Sequence, residues 1–135
     1  MAKSIAPKDA KILIDHVGDN TPHIIFLFTS DWNKLVFMNS SYEDITGRSV
    51  EDLYDDAEAF LDIIHPDDVK KLREKMEIVS GGESVQFQCR VNPEENYRRW
   101  VWFHCEPIYD EDGEIYRIGG VARDITEMKD RQQKI

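Results

Sequence analysis

Hydrophobic and polar positions change period along this chain, and the changes mark out its elements. Residues 98–108, Arg-Arg-Trp-Val-Trp-Phe-His-Cys-Glu-Pro-Ile, are rich in aromatic and β-branched side chains, and residues 115–125 form a second such run. Both read as strands. Between them stands Asp110-Glu111-Asp112-Gly113, and Asp-Gly supplies the two positive φ angles of a type I′ turn, so the pair reads as a β-hairpin. With Asp112 and Gly113 as the loop, the numbers of cross-strand partners add to 225, which sets Cys105 against Gly120, Phe103 against Ala122 and Val101 against Asp124. One face is then Val101, Phe103, Cys105, Ile118, Gly120 and Ala122, apolar and in places small. The other carries Trp100, Trp102, His104, Val121 and Arg123, too aromatic to be left in water, so both faces need cover.

Residues 84–91 alternate strictly, with Val85, Phe87, Cys89 and Val91 on one side and Gln86, Gln88 and Arg90 on the other. A loop centred on Glu95 pairs this strand with the Trp-rich one, Cys89 facing Val101 and Phe87 facing Phe103, so that the apolar sides agree. Residues 23–29 and 34–39 read as two further strands around the loop Ser30-Asp31-Trp32-Asn33.

Helical spacing governs the remainder. Ala10, Leu13, Ile14 and Val17, with Gly18 just beyond, predict an amphipathic helix over residues 8–17, followed by the turn-rich Asp19-Asn20-Thr21-Pro22. Ser40 or Ser41 is placed to cap a short helix through Ile45 that Gly47 ends, and Ser49-Val50-Glu51-Asp52 is a capping box for another, with helical content through Asp62. Pro66, Asp67 and Asp68 open the longest helix, 66–79, with an apolar stripe of Val69, Leu72 and Met76. Two strands, several helices and three strands make an α+β domain: a five-stranded antiparallel sheet with helices on one face and an added N-terminal amphipathic helix.

At 135 residues the chain is one domain long. Its 17 basic and 27 acidic residues give a net charge of −10, which repels phosphate backbones and anionic lipid surfaces, so neither nucleic acid nor membrane contact is expected. Without an apolar run near the ~18 residues of a membrane span, or an apolar segment after Met1-Ala2-Lys3-Ser4, the expected location is cytoplasmic. Cys89 and Cys105 fall about four residues out of register, ~13 Å apart, and read as free buried thiols. His65 beside Asp67 and Asp68 reads as a helix start rather than a metal or acid–base cluster. His104 and Cys105 point to opposite faces of one strand, and no Gly-rich phosphate loop, Cys-x-x-Cys or His-x-x-x-His spacing occurs. No catalytic or metal-binding reading has a motif behind it.

Residues 97–126 resemble the C-terminal half of a PAS domain, through Trp100, Pro107, Asp112-Gly113, Gly120 and the closing Asp124-Ile125-Thr126. Residues 23–39 resemble its opening hairpin, closed by Asn39, and His65-Pro66-Asp67-Asp68 resembles a PAS subgroup with that turn before the long helix. The resemblance covers residues 22–126, between an N-terminal helix and linker (1–21) and the start of a C-terminal signalling helix (127–135), and it implies strand order 2-1-5-4-3. The implied role is sensory input in signal transduction: sensing a small ligand or partner and relaying a conformational change to an attached effector, such as the histidine kinase of a two-component system. The alternative is a ligand-free dimerisation or protein-interaction scaffold.

On this reading the inner sheet face and helices line a pocket for a small apolar or aromatic ligand: Phe26, Phe28, Phe37, Tyr42, Ile64, Phe87, Cys89, Val91, Val101, Phe103, Cys105, Ile118 and Ala122. Haem-binding relatives use a His on the long helix, and residues 69–79 contain none. Flavin photosensors carry Gly-x-Asn-Cys before that helix, where this chain has Ala57-Glu58-Ala59-Phe60-Leu61-Asp62, and their polar strand positions appear here as Val91, Val101 and Ala122. Haem and covalently bound flavin are therefore disfavoured. Leu13, Ile14 and Val17 are expected to cover Ile25, Leu27, Trp100, Trp102, His104 and Val121 on the outer face, within one chain or across a homodimer. At the exit, Asp124 lies diagonal to Arg99, predicting an ion pair with Arg98 as substitute, and Ile125 and Thr126 lead into a helix. Ile125, Met128, Gln132 and Ile135 then follow at coiled-coil spacing.

Overall fold

Strict alternation in the last three strands decides which side chains face the helices. The computed structural model describes residues 23–133. The helix over residues 8–17 with Leu13, Ile14 and Val17, the linker after it, and Ile135 lie outside the described residues.

The chain runs β1 (Ile24–Thr29), β2 (Leu35–Met38), α1 (Ser41–Thr46), α2 (Val50–Asp55), a 3-10 helix (Ala57–Ile63), α3 (Pro66–Ser80), β3 (Val85–Val91), β4 (Arg99–Tyr109), β5 (Ile115–Asp124) and α4 (Thr126–Gln133). The strands form one antiparallel sheet in the order β2-β1-β5-β4-β3, as expected. Cys89 pairs with Val101 and Phe87 with Phe103, and the apolar sides of β3 and β4 coincide.

Between β4 and β5 the register adds to 225 from Val101↔Asp124 through Ile108↔Arg117, but the turn is not the expected two-residue one. Asp110 N donates to Glu114 O (2.8 Å) and Gly113 N to Asp110 O (3.1 Å), and of Asp112 and Gly113 only Gly113 has positive φ, at 81°. The Asp110 carboxylate accepts from the amides of Asp112 (2.9 Å) and Glu114 (3.0 Å), which favours a longer turn with one left-handed residue. That loop pairs Tyr109 with Ile115, one position off, and a bulge between Ile108 and Tyr109 restores the register.

A second irregularity lies between Leu27 and Phe28, where β2 shifts against β1. Leu27 pairs with Phe37 and Phe26 with Met38, so Phe37 lies on the outer face with Leu27. The inward placement of Phe37 is thereby corrected: Met38 holds that position. Asn39 closes the hairpin with its side chain, Oδ1 accepting from Ile25 N (3.0 Å) and Nδ2 donating to His23 O (2.9 Å).

Helix starts follow local chemistry, with one exception. Ser49 accepts from Glu51 N, and His65 Nδ1 accepts from Asp67 N (3.0 Å) with Pro66 at the first helical position. Ser40 makes no side-chain cap bond, contrary to expectation, because its backbone is already helical at ψ −14°. The buried stripe of α3 is Leu72, Met76 and Val79, with Val69 half-buried.

Asp68 bolts α3 to β3. Its carboxylate accepts from Arg90 N (2.9 Å), Nε (3.1 Å) and Nη2 (3.0 Å). Burial alone would raise the Asp68 pKa, but the hydrogen bonds and charge of Arg90 outweigh it and hold the group below the ordinary carboxylate range. A depressed carboxylate contributes stability above its unfolded pKa and loses it as pH falls through the folded one. Asp68→Asn should therefore cost about 2 kcal/mol at pH 7 in urea denaturation and less at pH 3, so the two stability–pH curves converge on the acid side.

Of the two adjacent glycines of β5, Gly120 is the more tightly packed. A Cβ there would collide with the His104 carbonyl oxygen and sit 2.7 Å from Phe26 Cζ. Gly120→Ala should destabilise by about 1–3 kcal/mol. At Gly119 the nearest atom is the mobile end of Ile108, and alanine there should cost less in the same denaturation assay.

Candidate functional site

The interior between sheet and helices holds a cavity of about 60 Å³. Its sheet side is built from Ile24, Phe26 and Phe28 of β1, Met38 of β2, Val85, Phe87 and Val91 of β3, and Val101, Phe103 and Cys105 of β4. Tyr42, Ile45 and Thr46 of α1, Phe60 and Ile63 of the 3-10 helix, Ile64, and Leu72, Lys75, Met76 and Val79 of α3 close the other side. The lining is almost wholly carbon, so the space stays dry and suits an uncharged apolar occupant.

Nine of the thirteen pocket residues expected from sequence line this space: Phe26, Phe28, Tyr42, Ile64, Phe87, Val91, Val101, Phe103 and Cys105. Cys89, Ile118 and Ala122 are buried in the same core but do not reach the cavity, and Phe37 is on the opposite face. Small residues on β5 leave no room because the Phe26 ring fills the space over Gly120. Burial pushes the Tyr42 phenol up to about 12, as it does the Cys105 thiol, and raises Cys89 further. Both cysteines are free and held as thiols, which suits packing rather than nucleophilic chemistry.

Trp32 was not foreseen here. A loop residue with φ 66°, it is buried, with its indole 4.9 Å from the Phe28 ring and its Nε1 donating to Met76 O (3.1 Å). A lone Trp in an otherwise polar loop was the only signal in the sequence.

The exit site lies at the far end of β4. Arg99 Nη1 reaches Asp124 Oδ2 at 2.8 Å, the pair expected from the register, and Arg98 is exposed. The same guanidinium holds Glu95 bidentately, Nε and Nη2 each at 3.0 Å. Asp124 Oδ1 accepts from Thr126 N (2.9 Å) and Oγ1 (2.6 Å), and Thr126 Oγ1 accepts from Trp100 N (3.0 Å). Ile125 N donates to Trp100 O (2.9 Å), its side chain is buried, and Lys129 Nζ stands 4.6 Å over the Trp100 ring. The root of α4 is thus pinned to β4 from several directions.

Asn92, absent from the sequence reading, extends this network inward. In left-handed conformation (φ 72°) and buried, it donates through Nδ2 to Ile45 O (2.9 Å) and Glu95 Oε1 (2.6 Å), and through its backbone to Ile63 O (2.9 Å). Both Nδ2 partners are acceptors, so the amide has one orientation, and its Oδ1 is buried without a partner among the described residues. Hydrogen bonds from Arg99 and Asn92 pull the Glu95 pKa down to about 2.

On the outer face Ile25 and Leu27 are buried, whereas Trp100, Trp102, His104 and Val121 are half-buried. Arg90 lies 5.6 Å over the Trp100 ring and Arg123 5.5 Å over Trp102. His65 caps α3 and packs 4.7 Å from the Tyr97 ring. Among the described residues no His, Cys, Asp and Glu cluster could hold a metal ion, and no helix is long and apolar enough to cross a membrane.

Comparison with known proteins agrees with this architecture. A domain of a protein provisionally named a light and redox sensing histidine kinase, from Haloarcula marismortui, superposes with a TM-score of 0.72 at 41% identity, over 87% of this chain and 99% of that one. The N-terminal domain of a diguanylate cyclase with PAS/PAC sensor from Marinobacter aquaeolei gives a TM-score of 0.69 at 15% identity, over 79% and 98% of the two chains, a likeness of fold alone. The bacterioopsin transcriptional activator of Halobacterium salinarum is 28% identical over 106 residues, 75% of this chain and 15% of that protein's length. The PAS fold family profile matches residues 35–122, and the chain belongs to that family.

Proposed function

We propose that this domain is a sensory input module, in which occupancy of the apolar cavity shifts α1 and the 3-10 helix against the sheet and the shift reaches α4 through side-chain hydrogen bonds. One observation carries this reading: an unbroken polar chain from the cavity wall to the exit. Ile45 and Ile63 line the cavity, their carbonyls accept from Asn92, and Asn92, Glu95, Arg99, Asp124 and Thr126 follow one another to the first residue of α4. Each link holds charge or a fixed orientation, so a displacement at Ile45 is not absorbed by free rotation. Coupling of this kind needs an element with two arrangements, and α4 leaving its contacts with Trp100 is that element.

The effector follows α4, and the Haloarcula relative makes a histidine kinase its best-supported kind. The module works in the cytoplasm as a homodimer through the outer sheet face, with Met128 continuing the contact. The scaffold alternative draws on the small cavity, less than half the ~150 Å³ that takes benzene.

A fusion of residues 1–135 to a dimer-dependent kinase reporter separates the two. Filling the cavity with Val79→Ile should change reporter output. Adding Glu95→Gln or Asp124→Ala, each costing about 1 kcal/mol of stability, should abolish that change. A scaffold would give the same output in every variant.

A further inference from the structure

Resting on the ligand-sensing reading above, we propose that Trp32 is the door of the cavity and that the ligand it admits is an uncharged aromatic ring bearing one N–H or O–H donor, which takes the place of the indole. Trp32 and Met76 face two ways. Both line the internal cavity, and both also line an open surface groove with Asp31, Glu58, Arg73 and Glu77. At this point the wall between interior and solvent is their side chains.

The volume requires displacement. About 60 Å³ takes a few atoms but no ring, since benzene occupies a cavity of ~150 Å³. Withdrawal of the indole would join cavity and groove, so a ring-sized ligand and Trp32 are competitors for one space.

The loop is built so that this side chain can leave. Trp32 sits at φ 66°, a conformation that bulky residues seldom adopt, so its closed position carries backbone strain that opening the loop would relieve. Trp32 N to Thr29 O (2.9 Å), Nε1 to Met76 O (3.1 Å) and Ser80 Oγ to Ser30 O (3.0 Å) hold it closed. Only the second of these involves the indole itself.

What the indole gives up defines what replaces it. Its ring packs at 4.9 Å on Phe28, which stands 5.8 Å from both Phe26 and Phe60, so an aromatic ring recovers the same edge and face contacts. Met76 O loses its indole donor at a point that faces both the cavity and the groove. A ligand with one donor restores that bond, and a hydrocarbon does not. The lining is almost wholly carbon, with Lys75 its one charged residue among those described, so a neutral ring fits it better than an ion.

The test is fluorine NMR of the 135-residue chain labelled with 5-fluorotryptophan, whose three signals belong to Trp32, Trp100 and Trp102, with Trp32 assigned by Trp32→Phe. Indole should move the Trp32 signal to the position of solvent-exposed fluorotryptophan and leave the other two in place. Trp32→Ala, which has no side chain to displace, should bind indole about tenfold more tightly than the unsubstituted chain. Naphthalene, lacking the donor, should bind about fivefold more weakly than indole. Indole binding that perturbs the cavity methyl groups while the Trp32 signal stays fixed overturns the door and leaves ligand sensing intact. So does faster indole exchange in Lys75→Ala but not in Trp32→Ala, which would put the entrance beside Lys75, a half-buried lining residue, instead. Should neither the unsubstituted chain nor Trp32→Ala bind either ring, the sensing reading fails and this proposal with it. The fluorine measurement on the unsubstituted chain decides the matter even if Trp32→Ala does not fold.

Discussion

A slip of one residue between β4 and β5 would turn Ile118, Gly120 and Ala122 outward and drive Val121 and Arg123 into the core, because side chains alternate with a period of two. The register that prevents this is held at both ends. Near the turn, the longer loop and the bulge at Ile108 cancel one another. In the middle, Gly120 admits the Phe26 ring and the His104 carbonyl where no other residue fits. At the exit the same register brings Asp124 diagonal to Arg99, so the pairing that packs the core also builds the ion pair at the root of α4.

The two candidate sites divide the chemistry between them. The cavity is lined almost wholly by carbon. Polar interactions gather at its rim, where Asn92 is buried and Arg99 is shared between two carboxylates. A buried amide whose oxygen has no partner among the described residues is costly to keep. Its retention makes sense if the link between helices and exit matters more than the stability an apolar residue would give.

Most of the fold was legible because period-two alternation over long strands leaves little freedom. Strand order came through resemblance, and the Arg99–Asp124 pair through register arithmetic alone. What the sequence concealed was local or long-range. The hairpin loop differed because the Asp110 carboxylate organises two amides, which the Asp-Gly pair does not reveal. Phe37 went to the wrong face because a bulge shifts the phase of β2. Trp32 and Asn92 each act through a partner 44 or more positions away, Met76 and Ile45, and no periodicity encodes such contacts. The cavity was read as reaching Ile118 and Ala122, but β5 contributes no lining residue because the Phe26 ring fills the space over Gly120.

The central claim is that cavity and exit are energetically coupled through Glu95. Native-state amide hydrogen exchange at Ile125, whose N–H is bonded to Trp100 O, measures the docking of α4 directly. A double-mutant cycle combines the cavity-filling Val91→Ile with Glu95→Gln. Coupling predicts that Val91→Ile changes exchange at Ile125 by about threefold when Glu95 is present and leaves it unchanged in Glu95→Gln. The same change in both backgrounds, or none in either, would contradict it.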